Sequence, residues 1–335
     1  MYESQIQNYN WVKKIRIVSV FAVILLHSIH TIQSVNPNIF YEGLINLIIV
    51  TFKFPTIFFF IISGYLFQMK FETYRESGFK HFLINKYKSI LAPYFFLYLF
   101  PEFIYKILII PLFGEEVHKI TLNQDIYPFL HNLMVYVFWF IPVLFLNFGI
   151  NYFIDRKKLN LFFLISLLTL LFHTSNIYFR WTDNSSHTFA VFGYTFFFIL
   201  GRLYFLGRIK TSIKFKYLII LLLFSFFEFL FLEKNSNTLK LTNVIYSVSL
   251  FFFLAPRIGK IKFNKEVENI NFYFVFLIHT KIIYLISVIL YYLKLDLTPF
   301  FSMVSSFLIV GLVCLLSFII EKQIFKNNNL LTRIF

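Results

Sequence analysis

One arginine and two histidines define the chemistry open to this chain. Arg16 and His27 lie eleven residues apart in the apolar run RIVSVFAVILLHSIH, and His279 lies in the apolar run FYFVFLIHTKI. On a helix that spacing is about three turns, so Arg16 and His27 share a face and sit about 16 Å apart along the axis. Imidazole takes a proton from a hydroxyl near neutral pH. A cation at the mouth of the same groove can hold a phosphate. A molecule with phosphates at one end and a reactive acyl group at the other matches this spacing, and a coenzyme A thioester has that shape. The competing reading of His27 is a packing histidine bonded to a neighbouring hydroxyl. Lys53, Glu102, Lys106, Glu228 and Lys281 also interrupt apolar runs. Each costs about 3 kcal/mol at mid-bilayer, so each is a candidate for function or for pairing. Glu102 and Lys106 are spaced i,i+4 with the acid first, which predicts an intramembrane pair.

Membrane helices must place these groups. The chain has 335 residues, of which 59% are hydrophobic and only 14% charged. Its mean hydropathy is +0.73. Soluble domains average about 45–50% apolar and about 25% charged, so this chain belongs to the membrane class. Apolar runs predict ten spans, near 15–35, 42–68, 89–112, 131–154, 159–174, 188–207, 217–232, 241–256, 269–293 and 299–321. The expected fold is therefore all-α, a polytopic bundle forming one domain over residues 1–335. The first apolar run ends in His-Ser-Ile-His rather than a small-residue cleavage site, so it reads as a retained span.

Charge orients the bundle. One alternate set of loops carries Lys13, Lys14 and Arg16, then Lys70, Arg75, Lys80, Lys86 and Lys88, then Arg156 to Lys158, Arg202 to Lys216, Arg257 to Lys265, and Lys322, Lys326 and Arg333. The opposite set carries only Lys119, Arg180, Lys234, Lys240 and Lys294. This asymmetry predicts both termini in the cytoplasm. It also accounts for the net charge of +15 without nucleic acid as a partner. With Cys314 as the single cysteine, no internal disulfide and no thiolate metal site can form, and no metal site is expected.

Arg16-x10-His27, within NWVKKIRIVSVFAVILLHS, resembles the opening of the acyltransferase family 3 membrane proteins. Six later segments resemble that family's motifs in order: FFFIISGYLF, KYKSILAPYF, FWFIPVLF, FFFILGRLYF, NFYFVFLIHTKI and LSFIIEKQIF. Many relatives have an acid where this chain has Lys13. The family's cytoplasmic Arg-x-x-Arg reads Lys86-Tyr-Lys88-Ser89 here, and lysine lacks the fork that grips phosphate with two bonds.

The resemblance implies a bacterial inner-membrane, multi-pass O-acyltransferase. His27 is then the catalytic base, and Arg16, Lys86 and Lys88 bind the acyl donor. His279 orients the acceptor or the coenzyme, or serves only the structure. The donor is expected to be acetyl-CoA or another acyl-CoA, used as co-substrate with no permanently bound cofactor. The acceptor is expected to be a hydroxyl of a surface polysaccharide or of its lipid-linked precursor. A polysaccharide exporter or polymerase is the alternative, although the outer loops are short and carry few cations. Among the remaining residues, Ser63-Gly64 reads as close helix packing and Trp139 as core or interface anchor.

Overall fold

The computed structural model describes residues 2–35, 42–99, 139–179, 191–209, 213–231, 238–268, 270–292, 308–316 and 319. The secondary structure among them is helical throughout. It comprises α1 (Tyr2–Val35), α2 (Glu42–Phe52), α3 (Pro55–Met69), α4 (Phe71–Ser77) and α5 (Phe79–Lys86). Two π-wound segments, Tyr87–Leu91 and Phe95–Leu99, then flank the turn Ala92–Tyr94. After these come α6 (Phe140–Tyr152), α7 (Leu159–Phe179), α8 (Val191–Phe205), α9 (Phe215–Phe231) and α10 (Leu241–Ile258). The short α11 (Lys265–Glu268), α12 (Phe272–Tyr292) and α13 (308–316) complete the bundle. The predicted pair Glu102 and Lys106 lies outside the described residues.

Three described stretches are long and apolar enough to cross a membrane: Gly43–Met69, Leu159–Phe179 and Leu241–Ile258. Outward faces agree with that. Leu161, Leu164, Leu168 and Phe172 on α7, and Ile220, Phe224, Phe227 and Phe231 on α9, are all exposed. A continuous greasy stripe of this kind suits lipid rather than water.

The predicted single span over 42–68 is kinked, and Pro55 is the cause. Proline has no N–H and its ring crowds the carbonyl four residues back, here Thr51. Helical geometry lapses at Lys53 and Phe54, between α2 and α3. The freed Thr51 carbonyl accepts a hydrogen bond from the Tyr246 hydroxyl of α10 at 3.3 Å. Non-helical backbone at membrane depth is tolerated where the protein supplies such partners. Tyr246→Phe should therefore destabilise the protein by about 1–3 kcal/mol, measured as a lowered unfolding midpoint of the purified membrane protein. An unchanged midpoint would mean that the kink is satisfied elsewhere.

The tightest crossing joins α3 to α8. A methyl group on Gly64 would overlap the Phe198 carbonyl, and one on Gly201 would overlap the Ile61 carbonyl. Two of the aromatic motifs, FFFIISGYLF and FFFILGRLYF, are thus the two sides of one backbone contact. Beside it lies Arg202, counted with the loop cations from sequence but fully buried. Its guanidinium donates to Gln68 Oε1 at 2.8 Å, to Asn151 O and Oδ1 at 3.1 and 3.2 Å, and to the Ile154 carbonyl at 2.9 Å. The rings of Phe67 and Phe71 lie 5.1 and 4.9 Å from it. Arg202 therefore locks the ends of α3, α6 and α8 together, with no acid among the described residues paired to it.

Candidate active site

α1 runs through the centre of the bundle and packs on α3, α10 and α12. Its first buried turns are fixed by Trp11, whose ring packs edge-on against Tyr65, Tyr204 and Phe251. Lys14 is buried as well. Its ammonium donates to the carbonyls of Gly259 and Ile261 at 3.1 and 2.5 Å and lies 3.8 Å from Glu268. These bonds use Lys14 to hold α1 against the α10–α11 turn, so its charge is committed to structure. They also mark one end of the bundle, where α3, α6, α8 and α10 finish and α12 begins.

At this Lys14 end, the charges of Lys70 and Arg16 both act against that of Lys86. Lys86 stands half-buried at the end of α5, its ammonium donating to the Tyr74 hydroxyl at 3.1 Å. The rings of Phe148, Tyr74 and Phe82 surround it at 4.3, 4.9 and 5.9 Å. Burial first, then the charges of Lys70 and Arg16, push its pKa down to about 8. Cations gathered against their own repulsion make a site for an anion. Lys70 was read from sequence only as a loop cation; nothing local distinguishes it, because its place here comes from the way α3 ends beside α5. Lys88 is exposed, the second residue of the first π-wound segment.

Deeper in, α1 and α12 bring the two histidines together. The rings of His27 and His279 lie 5.3 Å apart, centroid to centroid, at a tilt of 42°. His279 is fully buried and its Nδ1 lies 2.5 Å from the Phe276 carbonyl. A carbonyl only accepts, so Nδ1 carries the proton and Nε2 keeps its lone pair. Phe276 also packs edge-on to Phe140 and Phe59, which walls the pair with aromatic carbon. Two neighbouring imidazoles with one tautomer fixed can orient and deprotonate a hydroxyl between them.

Motif contacts support the same helix. The Tyr273 hydroxyl, at the start of α12, donates to the Ile90 carbonyl at 2.6 Å. Ile90 lies in the π-wound stretch before Pro93, where widened turns free carbonyls. KYKSILAPYF is thus joined directly to NFYFVFLIHTKI, and Lys86 is tied to the register of His279. Residues 9–321 match the family model Acyl_transf_3, described as an acyltransferase domain. The chain belongs to the acyltransferase 3 family. No curated protein and no solved structure matches it. In this acyltransferase, a cavity of about 470 Å³ also lies along α1, lined by residues that include Ile17, Phe21 and Leu25. It is apolar and on the other side of the helix from Arg16 and His27, which are separated by only about 20° around the axis. It is therefore no part of the histidine site.

Proposed function

We propose that this membrane acyltransferase moves an acetyl group from acetyl-CoA to a sugar hydroxyl of a cell-surface polysaccharide or its lipid-linked precursor. The observation that carries the reading is the His27–His279 pair, set on the same helix as Arg16. In this reading the bundle has ten spans with both termini in the cytoplasm, and the Lys14 end faces the cytoplasmic pool of acyl-CoA. Arg16, Lys70 and Lys86 hold the coenzyme phosphates, and Lys88 adds to the attraction from the exposed rim. The thioester then lies along α1. His27 takes the proton of the acceptor hydroxyl as its oxygen bonds to the acyl carbon. The carbon–sulfur bond breaks, and the coenzyme thiolate leaves and is reprotonated. His279, held in one tautomer by Phe276, orients the acceptor hydroxyl or His27.

Proton NMR of the surface polysaccharide tests this directly, comparing cells that carry the wild-type protein with cells that carry His27→Ala at equal protein level. O-acyl signals should disappear while polymer yield and length stay the same. Shortened or missing polymer would instead indicate an exporter or polymerase. Unchanged O-acyl signals would show that His27 only packs.

Donor binding should also depend on pH. Lys86 is charged below about pH 8 and neutral above it. The KM for acetyl-CoA should therefore rise as the pH passes upward through that value. In Lys86→Arg the guanidinium stays charged throughout, so this rise should vanish. A rise that persists in the variant would remove Lys86 from the donor site.

A further inference from the structure

α1 packs on three helices, yet protein does not cover it all round. On the side away from Arg16 and His27, Phe21 is 37% exposed. It lines the cavity of about 470 Å³ on that side, together with Leu25 of α1, Phe52 of α2 and Val310 of α13. Phe263 and Val267 close its base, ahead of and within α11. The wall that α1 supplies runs from Ile17 to Leu25, a rise of about 12 Å. Asn264 is the one polar residue in the lining. A cavity so apolar has no partners to offer water. Left empty, it forfeits the packing contacts of its walls. Lipid hydrocarbon is as apolar as leucine and fills such a space without that loss.

The base of the cavity carries positive charge. Lys262 directly precedes Phe263, so their Cα atoms lie about 3.8 Å apart. Lys260 stands two residues earlier. Both lysines are exposed, and neither is in an ion pair among the described residues. The nearby acid Glu268 lies 3.8 Å from Lys14 instead. The turn that bears the lysines is already fixed. Lys14 donates to the carbonyls of Gly259 and Ile261, and its ammonium lies 5.8 Å from the Phe263 ring. The lysine turn and the aromatic wall are thus tied to α1 before any ligand arrives. Cations held beside an apolar slot match a molecule with a negative head and a hydrocarbon tail.

We propose that this cavity binds an acyl chain of one anionic phospholipid, with the lipid phosphate set against Lys260 and Lys262. A neutral lipid would leave the two lysines unanswered, and a free anion would leave the cavity open. In the orientation proposed above, the Lys14 end faces the cytoplasm, so the lipid comes from the cytoplasmic leaflet. The binding itself does not rest on the acyltransferase reading. The site lies across α1 from Arg16 and His27, so the lipid is a partner of that helix and not a substrate. Its chain would support α1 from behind, on the side that the other helices leave open.

Native mass spectrometry of the purified full-length protein in detergent tests the site without any acyl transfer. The probes are palmitoyl-oleoyl phosphatidylglycerol, phosphatidylcholine with the same chains, and dihexanoyl phosphatidylglycerol, which has the charged head but short tails. The wild type should hold one long-chain phosphatidylglycerol at least about tenfold more tightly than either of the other two. The double variant Lys260→Gln/Lys262→Gln changes only exposed side chains. It should keep its unfolding midpoint, and its affinity for phosphatidylglycerol should fall to that for phosphatidylcholine. Val18→Phe puts a larger side chain into the cavity and should weaken both long-chain lipids together. Equal binding of the two long-chain lipids by the wild type would overturn the proposal, as would a preference for phosphatidylglycerol that survives loss of both lysines. Equal binding of the short-chain and long-chain phosphatidylglycerols would remove the cavity from the site, and that comparison needs no variant to fold. Acyl transfer is never read, so failure of the acyltransferase reading would leave the lipid result standing.

Discussion

Replacing His27 by alanine should lower the acyl-transfer rate by about 10²–10⁴-fold, the usual contribution of a positioned general base. The purified protein should keep its unfolding midpoint and its affinity for acetyl-CoA. His27 is only part-buried and its ring neighbour His279 retains its own backbone bond, so the fold loses little when the imidazole goes. Arg16→Ala should behave differently. If Arg16 holds a coenzyme phosphate as proposed, KM for acetyl-CoA should rise with kcat much less affected. His279→Ala should fall between the two. If His27 is the base as proposed, this variant keeps it but frees the acceptor or the His27 ring to turn, so kcat should drop while donor KM holds. Steady-state kinetics with a chromogenic thiol reagent for released coenzyme reads all three. Equal kcat in wild type and His27→Ala would exclude a base at this position. A kcat loss in His27→Ala with a fallen midpoint would place the effect in folding instead.

The second large effect concerns the α3–α8 crossing. Gly201→Val, or Gly64→Val, should destabilise the protein by about 4 kcal/mol or more. A Cβ at either position meets the facing backbone, not the flexible end of a side chain, so the helices must separate for it to fit. Separation would also pull Arg202 from Gln68 and from Asn151, leaving a buried guanidinium and buried carbonyls short of partners. Low abundance and early aggregation on size-exclusion chromatography should follow. Gly43→Ala is the control: nothing lies within 4 Å of a Cβ there, and α2 should gain slightly from the substitution. If Gly201→Val matched wild type in yield and midpoint, the crossing would have to be looser than the structure has it.

Much of this was legible from residue order. Hydropathy gave helices and a membrane, because bilayer thickness imposes a length on any apolar run that crosses it. The spacing of Arg16 and His27 placed them on one face because a helix repeats regardless of its neighbours. Equal depth of His27 and His279 could be estimated from rise per residue alone. Their adjacency could not: it required that α1 pack on α12 and that both rings turn inward, which is set by contacts far apart in the chain. Arg202 and Lys70 show the limit from the other side. In sequence both are basic residues at the ends of apolar runs, alike in every local respect. Only the fold buries Arg202 among carbonyls of α6 and leaves Lys70 exposed beside Lys86. Lys53 was visible as a charge within a span, and Pro55 as a break. Bringing the Tyr246 hydroxyl to the Thr51 carbonyl at that break took the packing of α10 beside α2. Periodicity fixes which way a side chain points from its own helix; what it meets there depends on which helix lies opposite, and that is decided only when the chain is packed.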